Sequence, residues 1–307
     1  MDFFDLHCDT VSRLLAEGGD LADAPFHVNL QRARFGRWAQ VFALFIFDGK
    51  GSDAAYALYR QEADCFFRQM EAHGDKIAHC RTAADLDAAF AAGKHAAILS
   101  VENGAALGGR LERLAEFQRD GVRLLTLTWF GENELGFGSM AGGPLKPFGR
   151  EVLAALPQYG IVPDISHLSD EGVAEVFHLY DGPVAATHSN VRRVTGHCRN
   201  LTDAQIREVG RRGGLIGINL SRAFLSANAD KTCCEDVYRH LNAFLELGAE
   251  RAVCFGTDFD GTDVPEDVQD IGGIPHIWEY LLQKGVAEET LRRVFFENAN
   301  DFWHRVF

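Results

Sequence analysis

Eight short apolar runs recur along the chain, each followed by a polar or glycine-containing turn and most of them then by a helical pattern. They are FFDLH (3–7), AQVFALFIF (39–47), AAILSVE (96–102), VRLLTLT (122–128), IVPDIS (161–166), PVAATHS (183–189), GLIGINL (214–220) and AVCFGTD (252–258). Hydrophobicity this continuous is how strands buried on both faces read. Amphipathic patterns fall at 53–73, 82–92, 109–120, 147–160, 169–180, 202–212, 234–248 and 287–304, several of them behind cap residues such as Ser52-Asp53, Ser169-Asp170 and Thr202-Asp203. Strands alternating with helices through right-handed crossovers predict a (β/α)8 TIM barrel spanning residues 1–307 as one domain. The length of 307 residues and an apolar fraction of 47% suit that core. A doubly wound open sheet is the rival, but GAALGG (104–109) lacks the spacing of a GxGxxG phosphate turn and reads as a loop.

Charge and termini narrow the partners. With 44 acidic and 30 basic residues the net charge is −14, which argues against nucleic acid or an anionic membrane. The first residues carry Asp2 and Asp5 and no basic stretch, so no signal peptide is expected, and no apolar run approaches the ~20 residues of a membrane span or anchor. The seven cysteines contain no CxxC pair and read as reduced thiols of a cytoplasmic protein, with Cys233-Cys234 as a partly buried apolar pair.

Barrel sites lie at the C-terminal ends of the strands. The first run ends in His7 and Asp9, the third in Glu102, the fifth in His167, the sixth in His188 and the eighth in Asp258. Residues i and i+2 of an extended chain face one side, so His7 and Asp9 converge while Cys8 points to packing. Buried imidazoles and carboxylates are costly unless something compensates them. A pair of divalent cations would satisfy them all. The N/O donor set suits Zn²⁺, with Mn²⁺, Co²⁺ or Fe²⁺ as alternatives. Glu102 is the natural bridge, a hydroxide between the ions the nucleophile, and Asp258 the acid that passes a proton to a leaving amine. The chemistry this predicts is hydrolysis.

The stretches DLHCDT (5–10), SVENG (100–104), GVRLLTLTW (121–129), DISHLSD (164–170), ATHSNVRR (186–193), CRNLTDAQI (198–206), GLIGINL (214–220) and GTDFDG (256–261) occur in an order that resembles the membrane (renal) dipeptidases, peptidase family M19, within the amidohydrolase-like barrels. The resemblance implies two zinc ions per chain, one on His7 and Asp9, the other on His167 and His188, bridged by Glu102. It implies that Arg199 grips the carboxylate of a dipeptide substrate, that a D-residue is tolerated at the C-terminal position, and that the chain is a homodimer. Where vertebrate-type members carry a histidine in an LTH pattern, this chain has Trp129, expected to form an apolar wall of the substrate site, with Asn133 or Glu134 supplying polar contacts. Asn219 is expected to hold a turn, Asp260 and Asp263 to order the loop around Asp258, and His197 to lie in an exposed loop.

Two rival functions share the barrel. One is a binuclear amidohydrolase of N-acyl amino acids or cyclic amides. Such barrels often use HxH on the first strand and a carboxylated lysine on the fourth, whereas this chain has HxD and no lysine in VRLLTLT. The other is a catalytically silent metal-binding barrel, which a missing ligand or a missing Asp258 would signal.

Overall fold

A computed structural model describes residues 1–307. Nine parallel strands form the sheet: β1 Phe3–Cys8, β2 Trp38–Phe45, β3 Ile77–His79, β4 His95–Glu102, β5 Val122–Thr126, β6 Val162–Asp164, β7 Ala185–Ala186, β8 Leu215–Ile218 and β9 Val253–Phe255. Their order is β2-β1-β9-β8-β7-β6-β5-β4, and pairing of β2 with β4 closes the ring. This is the (β/α)8 barrel, and all eight expected strands are in it. The extra strand, β3, pairs with the base of β4 below the point where β5 takes over that edge. Its three residues, IAH, are too short to read as an apolar run.

The helices follow the expected pattern with trimmed ends: Ser52–Ala72, Ala83–Ala91, Leu114–Asp120, Pro147–Ala155, Asp170–Leu179, Asp203–Arg211 and Cys234–Glu246. Ser169 and Thr202 cap their helices as expected, accepting from Gly172 N and Gln205 N. Ser52 does not: Gly51 is the cap, and Ser52 Oγ donates to Glu134 Oε1 at 2.8 Å instead. Helices Thr10–Glu17 and Ile274–Gln283 were not anticipated. The last expected helix is broken by a π turn, Arg293–Glu297, before Asn298–Val306. No helix is long and apolar enough to cross a membrane.

Two apolar cores result. The larger fills the space between strands and helices. The smaller takes inward-facing residues from every strand of the ring, among them Phe4, Val41, Ile98, Leu124, Val162, Ala185, Leu215 and Cys254. Small residues are frequent there because the ring leaves room only for a packed interior. Phe296, Phe302 and Trp303 close its lower end, with Phe4 ring centroids 6.1 Å from Phe296 and 5.8 Å from Trp303. The barrel is therefore plugged at the bottom and open only at the C-terminal ends of its strands.

The first strand carries a bulge. Asp5 stands opposite Gln40 but Cys8 stands opposite Phe42, so β1 spends three steps where β2 spends two. Phe4 and Leu6 face the interior and Cys8 the outer core. Strict alternation would put His7 outside with Cys8's neighbours; the bulge instead turns it inward after Leu6.

Candidate active site

The open end of the barrel gathers the six residues expected there. His7 Nε2 lies 3.4 Å from Asp9 Oδ2 and 3.3 Å from Glu102 Oε2. Glu102 Oε1 lies 3.0 Å from His167 Nε2 and 3.7 Å from His188 Nε2, and those two nitrogens are 2.9 Å apart. His7, Glu102 and His188 form one cluster of donors and His7, Asp9 and Asp258 a second, the atoms of each within 4.8 Å of one another. All six side chains are buried. Glu102 therefore sits between the His7–Asp9 pair and the His167–His188 pair, one oxygen toward each.

The backbone is strained where these residues leave their strands. Asn103, His167, Asp258 and Asp260 have φ of 81°, 67°, 62° and 70°, left-handed values that are uncommon for non-glycine residues. Gly261 is required beside them, since a Cβ there would come within 2.1 Å of Asp9 Oδ2 and 2.6 Å of Asp258 Oδ1.

Two buried aspartates set the frame beneath. Asp5 accepts from Thr257 N, Thr257 Oγ1 and Gln40 Nε2 at 2.8, 2.6 and 3.0 Å, tying β1 to β9 and β2. Asp164 accepts from Ser166 N, Thr187 N, Thr126 Oγ1 and Thr187 Oγ1 at 2.9, 3.0, 2.6 and 2.6 Å, tying β5, β6 and β7. The second frame sets a tautomer. Thr187 gives its only hydroxyl proton to Asp164, so at 2.8 Å its oxygen accepts from His188 Nδ1. The Nε2 lone pair of His188 is then aimed at Glu102 and His167. Neither Asp164 nor Thr187 stood out in the sequence beyond its place next to a histidine motif.

Electrostatics show what the cluster lacks. Burial alone would lower the pKa of His7, but the Asp9 and Glu102 carboxylates reverse this and hold it well above its ordinary value. Burial pushes Asp9 up to about 6, opposed by His7 and reinforced by Glu102. Asp258 is pushed up to about 7 by burial, again against His7, with Asp9 and Glu102 adding to the rise. His167 and His188 are driven well below the imidazole range by burial and by Arg199 and His7, so both are neutral. His7 Nε2, Asp9 Oδ1 and His167 Nδ1 are buried with no hydrogen-bond partner. Two neutral imidazoles and three crowded carboxylates at one point fit divalent cations, which would supply the positive charge those carboxylates favour.

Above the cluster opens a cavity of about 560 Å³. Trp129 borders it, half-buried and edge-on to Phe45 at 5.0 Å, and with Phe47 and Phe130 it lines an apolar side of the cavity. Asn133 and Glu134 do not border the cavity. Asn133 is turned to Asn103 Oδ1 and Leu127 O, and Glu134 to Ser52, so both hold the loop. Asn219 does more than hold a turn: it accepts from Ser221 N at 2.6 Å and also donates to Asp258 Oδ2 at 2.9 Å. Asp260 orders its loop through Thr10 Oγ1, His27 N and Val28 N.

Arg199 is buried beside the cluster rather than on the cavity surface. It donates to His188 O at 2.9 Å and Ser189 Oγ at 3.1 Å, its Nε is unpartnered, and its guanidinium carbon sits 5.5 Å from the ring of Phe224, which does border the cavity. His197 is half-buried rather than exposed; it packs on Phe224 at 4.7 Å and accepts from Arg199 N. The loop they share is anchored by His240, buried, which accepts from Val191 N at 3.1 Å and lies 3.0 Å from Leu225 O.

The family model for membrane dipeptidases (peptidase family M19) matches residues 1–306. The chain belongs to peptidase family M19. Its backbone superposes on the metallopeptidase dipeptidase AC of that family with a TM-score of 0.93 at 28% identity, covering 100% of this chain and 98% of the other. A metallopeptidase from Rhodobacter sphaeroides, solved with a phosphinate mimic of the dipeptide L-Ala-D-Ala, gives 0.91 at 27% identity over 100% and 99%. The dipeptidase tcpJ of Claviceps purpurea is 28% identical over 294 residues, 90% of this chain and 68% of its own. The M19 assignment makes this barrel a metal-dependent dipeptidase.

Two measurements check the frame. Thr187→Val keeps the shape but removes the acceptor that orients His188; metal affinity, read by chelator competition, is expected to fall roughly 10- to 100-fold. His240 is held at about 4 by burial. The unfolded chain therefore takes up its proton first as pH falls through 6.5, and stability drops between pH 6.5 and 4. The loss from this one residue is about 3 kcal/mol, and urea unfolding of His240→Gln should show a correspondingly flatter acid limb.

Proposed function

We propose that the chain hydrolyses unblocked dipeptides, including those of L-Xaa-D-Xaa type, at two divalent cations, zinc by preference. His7 and Asp9 would hold one ion, His167 and His188 the other, with Glu102 shared between them. The observation that supports this is the convergence of three imidazole Nε2 atoms on one carboxylate, His7 on one Glu102 oxygen and His167 and His188 on the other. When bound, the ions would acidify a water between them and polarise the scissile carbonyl.

The chain's own residues do the rest. Arg199 has donated two of the five N–H bonds of a guanidinium, and the remainder are available to a carboxylate. It would fix the C-terminal end of the substrate beneath Phe224. Trp129, with Phe45 and Phe130, excludes water along one side and receives an apolar side chain. Asp258 is fixed through one oxygen by Asn219 and borders the cavity. A carboxyl raised to about 7 both accepts and releases a proton near neutrality, which suits transfer to a leaving amine. The stereochemical extension is supported by the L-Ala-D-Ala mimic on the Rhodobacter sphaeroides relative.

A panel of L-Xaa-L-Xaa and L-Xaa-D-Xaa dipeptides, assayed with and without chelator, tests the reading. Chelator-sensitive cleavage that disappears when the C-terminal carboxylate is amidated is the expected result. Metal-loaded protein that spares dipeptides but cleaves N-acyl amino acids would replace it with the amidohydrolase function. In the same assay Asp258→Asn should retain its metal and lose about 10²- to 10⁴-fold in turnover.

A further inference from the structure

Two carboxylates bordering the cavity take no part in metal binding or proton transfer, Asp260 and Glu62, and only Glu62 has an oxygen without a partner. Glu62, on the helix Ser52–Ala72, is 2% exposed and sits where the wall is otherwise formed by Leu15, Phe45 and Leu58. Its Oε1 accepts from Ser12 Oγ at 2.8 Å, and its Oε2 is buried with no partner. A buried carboxylate left half-satisfied is costly, and a glutamine there would preserve the shape and the serine contact without the charge.

The other acids around the cavity are accounted for. Asp9 and Glu102 belong to the ligand cluster, Asp258 is held by Asn219, and Asp260 is occupied by Thr10 and two backbone N–H groups. Arg13, the one Lys or Arg bordering the cavity, is paired with Glu17. Burial, with Asp9 and Glu102 nearby, holds the Glu62 carboxyl well above the usual carboxylate range, and no cation stands opposite its free oxygen beside the cavity.

Topology says which end of a ligand would meet it. The helix bearing Glu62 follows β2, and the loop bearing Arg199 follows β7. In the ring order β2 and β7 stand four strands apart in either direction, which is diametrically opposite. A dipeptide zwitterion likewise carries its ammonium and its carboxylate at opposite ends.

We propose that Glu62 is the ammonium subsite of this enzyme: its free oxygen receives the α-ammonium of the substrate's first residue while Arg199 receives the carboxylate of the second. Glu62 then restricts the enzyme to substrates with an unblocked N-terminus. The inference rests on the dipeptidase reading and adds the group that measures the substrate's amino end.

The test compares L-Ala-L-Ala with N-propionyl-L-alanine, the same molecule without its amine, on metal-loaded full-length protein. The wild type should prefer the amine. Glu62→Gln should lose about 10- to 100-fold in kcat/KM on L-Ala-L-Ala, the worth of one charge-assisted hydrogen bond, and leave the des-amino compound unchanged. An equal loss on both compounds, or no loss on either, would overturn the subsite and leave the dipeptidase reading standing. If the wild type cleaves neither this dipeptide nor any other, the dipeptidase reading itself fails and takes the subsite with it. Should Glu62→Gln not fold, Glu62→Asp, which keeps the carboxyl but retracts it by one methylene, is read in the same way. A loss confined to the amine-bearing substrate is expected there, and a loss shared by both compounds would overturn the proposal.

Discussion

Everything at the open end of this barrel turns on uncompensated charge. Asp9, Glu102 and Asp258 are buried together with three imidazoles, two of which are neutral, and the Arg199 guanidinium beside them donates to His188 O and Ser189 Oγ rather than to a carboxylate. Buried carboxylates crowded in this way favour the binding of positive charge from outside the chain. That preference accounts for six buried donors meeting at one point more economically than a separate structural role for each.

The scaffold's task is to keep these groups from relaxing away. The plugged base leaves the strand ends as the only opening, and the β1 bulge turns His7 into it. Asp5 and Asp164 lace neighbouring strands together beneath the cluster, so that His7 on β1, His167 after β6 and His188 after β7 are held by hydrogen bonds that do not involve the ligands' own lone pairs. Left-handed residues at three strand ends store strain at the site, and the surrounding hydrogen bonds over-determine them.

The barrel was legible because parallel strands buried on both faces leave long apolar runs that turn chemistry cannot imitate. The six residues at the strand ends were legible for a related reason: a buried strand that terminates in His, Asp or Glu conflicts with its own hydrophobicity. The i, i+2 argument brought His7 and Asp9 together, yet the reason His7 faces inward is a bulge that no pattern announces. Residues that act through others were not visible. Asp164 and Thr187 read as ordinary strand polar residues, and Glu62 reads as one more charged position on an amphipathic helix, because their burial exists only once β2, β6 and β7 are in place. Asn133 and Glu134 show the converse. They lie next to Trp129 in sequence, but the loop turns them away from the cavity.

The most direct measurement is a crystal structure of metal-loaded protein with anomalous data at the zinc edge. Two peaks, one beside His7 and Asp9 and one beside His167 and His188, with a Glu102 oxygen on each, are expected. A single peak, or two that leave Glu102 uncoordinated, would contradict the shared-carboxylate centre on which the proposed chemistry depends.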